Sequence, residues 1–121
     1  MGCLYGARLS HAGHQVAMVD VRSAVVDAIN VNGLHVEGTS GSVQAPATAS
    51  TPDEASGPAD VVCVQAHAAG SSEAARVAGR ILAPDGYAIT LQNGIGNVEA
   101  LVDQLGEAHV LGGISYNSAS S

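Results

Sequence analysis

A chain of 121 residues is long enough for one ordinary domain and too short for two. Its 46% hydrophobic and 12% charged content excludes a disordered chain, and four Arg, no Lys and eleven acids, a net charge of −7, leave no basic stripe for a nucleic-acid backbone or an anionic membrane surface. Phe and Trp are absent, only Tyr5, Tyr87 and Tyr116 are aromatic, and fifteen residues are Gly, so the core has to be built from small aliphatic side chains with backbones packed close.

In chain order, Gly2 to Ala12 carries good helix formers and stops at Gly13, a residue suited to the left-handed conformation that ends helices. Gln15 to Asp20 is a short apolar run closing on an acid, and Arg22 to Asn32 follows as a helix with Val25, Val26 and Ile29 on one face and Gly33 after its end. Leu34 to Glu37 and Ser42 to Ala45 alternate apolar and polar residues across Gly38-Thr39-Ser40-Gly41, as a hairpin does, and Pro46 to Pro58 reads as a surface loop. Asp60 to Val64 is a continuous apolar strand of the kind buried on both faces in a parallel sheet. Ser71 or Ser72 then caps a helix with Ala74, Val77, Ala78 and Ile81 as its stripe, and Pro84-Asp85-Gly86 turns the chain into the strand Tyr87 to Leu91. Asn97 caps a last helix with the stripe Val98, Leu101, Val102 and Leu105, stopped by Gly106 and followed by a strand near His109 to Ile114.

Strands alternating with amphipathic helices at this spacing predict an α/β fold: a doubly wound, Rossmann-type, mostly parallel sheet with right-handed crossovers. Such a fold opens on its central strand, strand 1 in the order 3-2-1-4-5-6, whereas this sequence opens on a helix. The expectation is therefore a sheet lacking its first strand, which would precede Met1. No apolar run approaches the roughly 18 residues that span a bilayer, and Met1 to Ala12 lacks the cationic start and apolar core of a secretory signal. Cys3 and Cys63 allow at most one disulfide, and Cys63, inside Val61-Val62-Cys63-Val64, reads as a small buried hydrophobe; a cytoplasmic protein is expected.

With a strand restored in front, Gly2 becomes the last glycine of a G-x-G-x-x-G turn, with Gly6 and Ala7 extending the small surface that packs on the sheet. Asp20 ends the next strand, where an acid accepts hydrogen bonds from an adenosine ribose, although an Asp there also serves simply as a helix cap. Asn93-Gly94 lies in the loop after the strand Tyr87 to Leu91, a pair that by itself reads as a turn. Cys3, His11 and His14 span a helix end without a fourth ligand, so no metal site is expected. His35 and His109 read as solvated, whereas His67, just past Gln65 at the carboxyl end of a strand, is placed to face a ligand.

The runs GCLYGARLSHAGHQVAMVD (Gly2 to Asp20), DAINVNGLHVEG (Asp27 to Gly38), LAPDGYAITLQNGIGNVEAL (Leu82 to Leu101) and VLGGISY (Val110 to Tyr116) resemble the N-terminal domain of ketopantoate reductases, also called 2-dehydropantoate 2-reductases. The likeness covers nearly the whole chain, and Leu91 to Glu99 is its most specific part. The resemblance implies a partial NAD(P)-binding Rossmann domain over residues 1–121, in an oxidoreductase that moves a hydride from NADPH to the keto carbon of 2-dehydropantoate, giving pantoate on the route to pantothenate and coenzyme A. It also implies roles for single residues. Gly2 would belong to the pyrophosphate turn, and Asn93 would hydrogen-bond near nicotinamide and substrate, with Gly94 allowing close backbone approach. Gln65 stands beside the cofactor where the family usually has Lys. The family's proton-donating Lys and substrate-binding Glu would lie in a helical C-terminal domain after Ser121, so residues 1–121 carry no catalytic residue and should not turn over substrate alone.

Asp20 favours the free ribose of NAD while Arg22 suits the 2′-phosphate of NADP; the resemblance tips the expectation to NADP, with NAD as the alternative. The expected partner is a small 2-keto acid, with no nucleic acid and no membrane, and a homo-oligomer is allowed. A related reductase of another 2-keto or β-keto acid, and a non-catalytic α/β binding module, are the competing readings, because a fold does not specify a substrate.

Overall fold

The computed structural model describes residues 2–38, 41–65, 70–91 and 97–113. They divide at Ala55–Ser56 into two compact units. The first holds α1 (Gly2–His11), β1 (Ala17–Val19), α2 (Ser23–Asn32), β2 (Leu34–Gly38), β3 (Gly41–Ala45) and β4 (Thr48–Ser50). The second holds β5 (Ala59–Val64), α3 (Ser71–Ile81), β6 (Leu82–Thr90), α4 (Asn97–Leu105), a 3-10 turn at Glu107–His109, and β7 (Val110–Gly112).

In the first unit β1 pairs with β4 in parallel, Ala17 opposite Thr48 and Val19 opposite Ser50. The segment Pro46 to Pro58, expected to be loop throughout, therefore contains a strand. Its Ala-Thr-Ser composition carries no strand signal; long-range hydrogen bonds make it one. Thr48 and Ser50 face β1, with Thr48 N–H donating to Val16 O at 3.4 Å and Asp20 N–H to Ser50 O at 3.1 Å. Ala49 faces the opposite edge, and there the Asn30 side chain takes the place of a further strand. Its Oδ1 accepts from Ala49 N–H at 2.8 Å and its Nδ2 donates to Ala49 O at 3.0 Å. One amide on α2 thus satisfies both polar groups of an edge residue that would otherwise be open.

The hairpin is formed as expected, with β2 and β3 antiparallel, Leu34 opposite Ala45 and Val36 opposite Val43. The alternation puts Leu34, Val43 and Ala45 inside and His35, Glu37 and Gln44 outside. Ala7, Ile29, Leu34 and Val43 form the buried core, with Met18, Val25, Val36, Ala47 and Ala49 packed around it. The small face of α1 is what lets it sit this close. A Cβ on Gly6 would lie 2.7 Å from Met18 Sδ and 3.0 Å from Leu34 Cδ1.

The second unit is a parallel sheet in the order β5-β6-β7, with Val64 opposite Thr90 and Thr90 opposite Gly112. Its core is Val64, Ala75, Ala78, Ala88 and Leu101, all buried, with Val62, Ala74, Ala100, Leu105 and Val110 partly buried around it. Val77, Ala78 and Ile81 of the expected α3 stripe are buried, and Ala75 is fully buried beside them while Ala74 is only partly so. The α3 start also differs, since Gly70 holds the cap position and no side-chain cap bond forms there. The turn Pro84-Asp85-Gly86 survives as a bulge inside β6: between the paired positions Ala59/Leu82 and Val61/Tyr87, β5 advances two residues and β6 five. Regular pairing begins at Tyr87, where the strand was expected to start.

Burial on both faces of β5 is not observed. Val62 and Val64 pack toward α3, while Val61 is 53% exposed and Cys63 lies on the same exposed side. Its apolar surroundings nevertheless push the Cys63 thiol pKa up through desolvation. Parallel pairing within β4–β1 and within β5-β6-β7, with helical crossovers, is the Rossmann-type α/β architecture.

Gly33 ends α2 at φ 73° and ψ −162°, a region that is nearly glycine-only, and its Cβ position lies 2.6 Å from Ala45 O. Gly33→Ala therefore combines backbone strain with a clash against main chain rather than a yielding side chain. A loss of about 1–3 kcal/mol of unfolding free energy is expected, read from the denaturant midpoint at unchanged slope; an unchanged midpoint would contradict the assignment.

Candidate functional site

Ligands of open α/β sheets bind outside the carboxyl ends of the strands, so the loops leaving β1, β5 and β6 are where chemistry is sought. Asp20 follows β1 directly, and Arg22 occupies the position before α2, extended at φ −91° and ψ 110°. The two residues hold each other. Asp20 Oδ1 accepts from Arg22 backbone N–H at 2.8 Å and from Nε at 3.1 Å, and Oδ2 accepts from Nη2 at 3.0 Å. This is the two-pronged guanidinium–carboxylate geometry, tied in addition to the main chain.

Asp20 is thus not a helix cap in the ordinary sense, since its carboxylate reaches the first residue of the turn and α2 has no side-chain cap bond. The Arg22 side-chain hydrogen bonds hold the Asp20 carboxyl below its usual pKa against a smaller opposing effect of desolvation. The same hydrogen bonds raise Arg22, with a small electrostatic contribution from Cys3. Gly2, Asp20 and Arg22 all belong to the first unit.

In the second unit, Gln65 is half-buried and follows β5. Because Val64 pairs with Thr90 in a parallel register, Gln65 and Leu91 leave the sheet side by side. Thr90 is 2% exposed and Asn97, at the start of α4, 5%. These two polar residues bracket the β6–α4 connection, yet within the sequence Thr90 reads as an ordinary strand residue and Asn97 only as a cap. Asn93, Gly94 and His67 lie outside the described residues.

The remaining histidines take structural or surface positions. His35 pairs with Glu37 at 3.1 Å on the exposed face of β2. His109, expected to be solvated, is instead part-buried, with Nδ1 2.9 Å from the Gly86 carbonyl in the β6 bulge and its ring 6.4 Å from that of Tyr87. His11 ends α1 and Cys3 stands in its first turn, about 12 Å apart along the axis at 1.5 Å rise per residue. Among the described residues no three His, Cys, Asp or Glu side chains converge, and no helix is long and apolar enough to cross a membrane. An open concavity lined by Val31, Asn32, Gly33, Gln44 and Pro46 sits at the far end of α2 from Arg22 and carries no charged side chain.

The sequence pattern of the family described as Ketopantoate reductase PanE/ApbA matches residues 1–121. The chain belongs to this family. Among curated proteins, 2-dehydropantoate 2-reductase from Pyrococcus abyssi is 32% identical over 120 residues, 98% of this chain and 38% of that protein. The enzyme of the same name from Nostoc sp. is 30% identical over 117 residues, 96% of this chain and 36% of its own length. A crystal structure of 2-dehydropantoate 2-reductase from Geobacter metallireducens superposes with a TM-score of 0.81 at 30% identity, covering 97% of this chain and 40% of that one. The chain therefore spans well under half the length of the ketopantoate reductases it matches, and the likeness extends over both of its compact units.

The lowered pKa of Asp20 has a definite sign in stability. A carboxyl depressed in the folded state stabilises in full above its unfolded value, about 3.9, and ceases to do so as pH falls through the folded value. Wild type should thus be more stable than Asp20→Asn near neutral pH, with the gap closing in acid below about pH 4. Denaturant unfolding across pH at constant ionic strength measures it; a gap that persists unchanged to low pH would show that the pair does not hold Asp20.

Proposed function

We propose that residues 1–121 are the dinucleotide-binding portion of an NADPH-dependent 2-dehydropantoate 2-reductase whose helical catalytic domain lies elsewhere in the full protein. The observation that carries this reading is the family match over the whole chain, together with a parallel α/β frame that presents Asp20 and Arg22 at the carboxyl end of β1. The substrate is a small 2-keto acid, and the setting is the cytoplasm. Within each unit the pairing agrees with part of such a sheet, β4–β1 in the first and β5-β6-β7 in the second.

The residues present suit the adenosine end of NADP. Arg22 is 68% exposed on its side chain, so the donors not engaged by Asp20 face solvent and are available to a 2′-phosphate. NAD is the second reading, favoured by Asp20, whose carboxylate is suited to free ribose hydroxyls. Gly2 starts α1, which supports its place at the end of a phosphate turn, since a helix N-terminus offers backbone N–H groups to an anion. Gln65 and the connection that holds Asn93 and Gly94 leave the sheet on one side, a layout that supports Gln65 beside the cofactor and Asn93 against nicotinamide and substrate. The cofactor, when bound, supplies the hydride that reduces the keto carbon; this chain's residues bind and orient it, and the proton is handled by residues outside 1–121.

The test is reduction of 2-dehydropantoate by the full-length protein that carries this chain, followed by loss of NADPH absorbance. Asn93→Ala is expected to lower kcat/KM by about 10- to 100-fold, the value of one hydrogen bond to a charged or reacting group. Turnover of other 2-keto acids but not of 2-dehydropantoate would transfer the reading to a related reductase. No turnover with any 2-keto acid would overturn it.

A further inference from the structure

If the carboxyl end of β1 receives the adenosine of a dinucleotide, as proposed above, Asp20 and Arg22 suit opposite ligands. A carboxylate accepts hydrogen bonds from free 2′- and 3′-hydroxyls, whereas a guanidinium pairs with a 2′-phosphate. In the folded chain the two groups engage each other instead. Three hydrogen bonds of 2.8 to 3.1 Å occupy both carboxylate oxygens and the Nε–Nη2 edge of the guanidinium.

We infer that Asp20 is a specificity-determining residue that acts through Arg22: it positions the guanidinium at the end of β1 and, by competing with a 2′-phosphate for it, keeps the preference between phosphorylated and unphosphorylated adenosine small. Three features carry this. First, the partners differ in access, with side chains 68% exposed for Arg22 and 24% for Asp20, so the guanidinium is the more open of the two to an incoming ligand. Second, Asp20 cannot swing away freely, because Oδ1 also accepts the Arg22 backbone N–H and Asp20 N–H is tied to Ser50 in the β1–β4 ladder. Third, a dianionic phosphate seated on the remaining donors of Arg22 would share one guanidinium with the Asp20 carboxylate, and repulsion between the two anions opposes the attraction to Arg22. A chain with eleven acids against four Arg supplies little other positive charge to compensate.

Asp20 is therefore a positioning residue rather than a ribose ligand, and its removal should affect one ligand class only. The test is calorimetric titration of the full-length protein with adenosine 2′,5′-bisphosphate and with adenosine 5′-monophosphate, which differ only in the 2′-phosphate. Asp20→Asn, which keeps an oxygen acceptor for the Arg22 backbone N–H, is expected to tighten the bisphosphate about tenfold at low salt and to leave the monophosphate unchanged. The gain should shrink as salt is raised. Arg22→Gln is expected to abolish any preference for the bisphosphate while leaving monophosphate binding intact. Wild-type binding whose preference Asp20→Asn does not alter, or Asp20→Asn weakening the monophosphate severalfold, would overturn the inference and leave the dinucleotide reading in place. Wild type binding neither nucleotide would overturn the dinucleotide reading itself and this inference with it.

Discussion

Close approach of helix to sheet, made feasible by side chains of one carbon or none, is the constraint on which the rest of this structure depends. Without Phe or Trp the chain has no bulky wedge to fill a wide gap between layers, so the layers have to meet. On α1 this is done by Gly6 and the fully buried Ala7, against Met18 and Leu34. On α3 it is done by Ala75 and Ala78 against Ala88 of β6. At the carboxyl ends of the strands that these helices cover stand Asp20 after β1, Gln65 after β5 and Thr90 at the end of β6.

The same economy governs the polar groups. Strands too short to pair along their whole length are completed by side chains and turns: Asn30 serves as the missing neighbour of Ala49, and His109 reaches the Gly86 carbonyl in the β6 bulge. Cations are scarce, and among them Arg22 is held by Asp20 and Arg76 by Glu73. In the Arg76–Glu73 case the pair spans one helical turn on the surface and contributes little more than local order. The Arg22–Asp20 pair is different in position rather than in chemistry, because it sits at the carboxyl end of a parallel strand, where such sheets take their ligands.

Membership of the ketopantoate reductase family gives these features a context without supplying their details. Gln65 carries no charge where the family resemblance leads one to expect Lys. On the function proposed above, positive charge toward a cofactor would then fall more heavily on Arg22, which the fold already commits to a carboxylate.

Periodicity alone located every described helix, the hairpin and the strands β1, β5, β6 and β7, because each carries its own apolar pattern and its own glycine or proline punctuation. Asp20 and Arg22 were legible as candidates from their place after a strand, and Gly2 from the helix it opens, whereas Gln65 became one only through the family resemblance. What local sequence does not contain is pairing across distance. β4 exists because β1 and Asn30 satisfy its backbone from either side, the open side of β5 follows from helices packing on one face, and the 84–86 turn became a bulge because β5 continues past it. Above all, the sequence offered Asp20 and Arg22 as alternatives, and only the fold, by bending the chain after β1, joined them into a single ion pair.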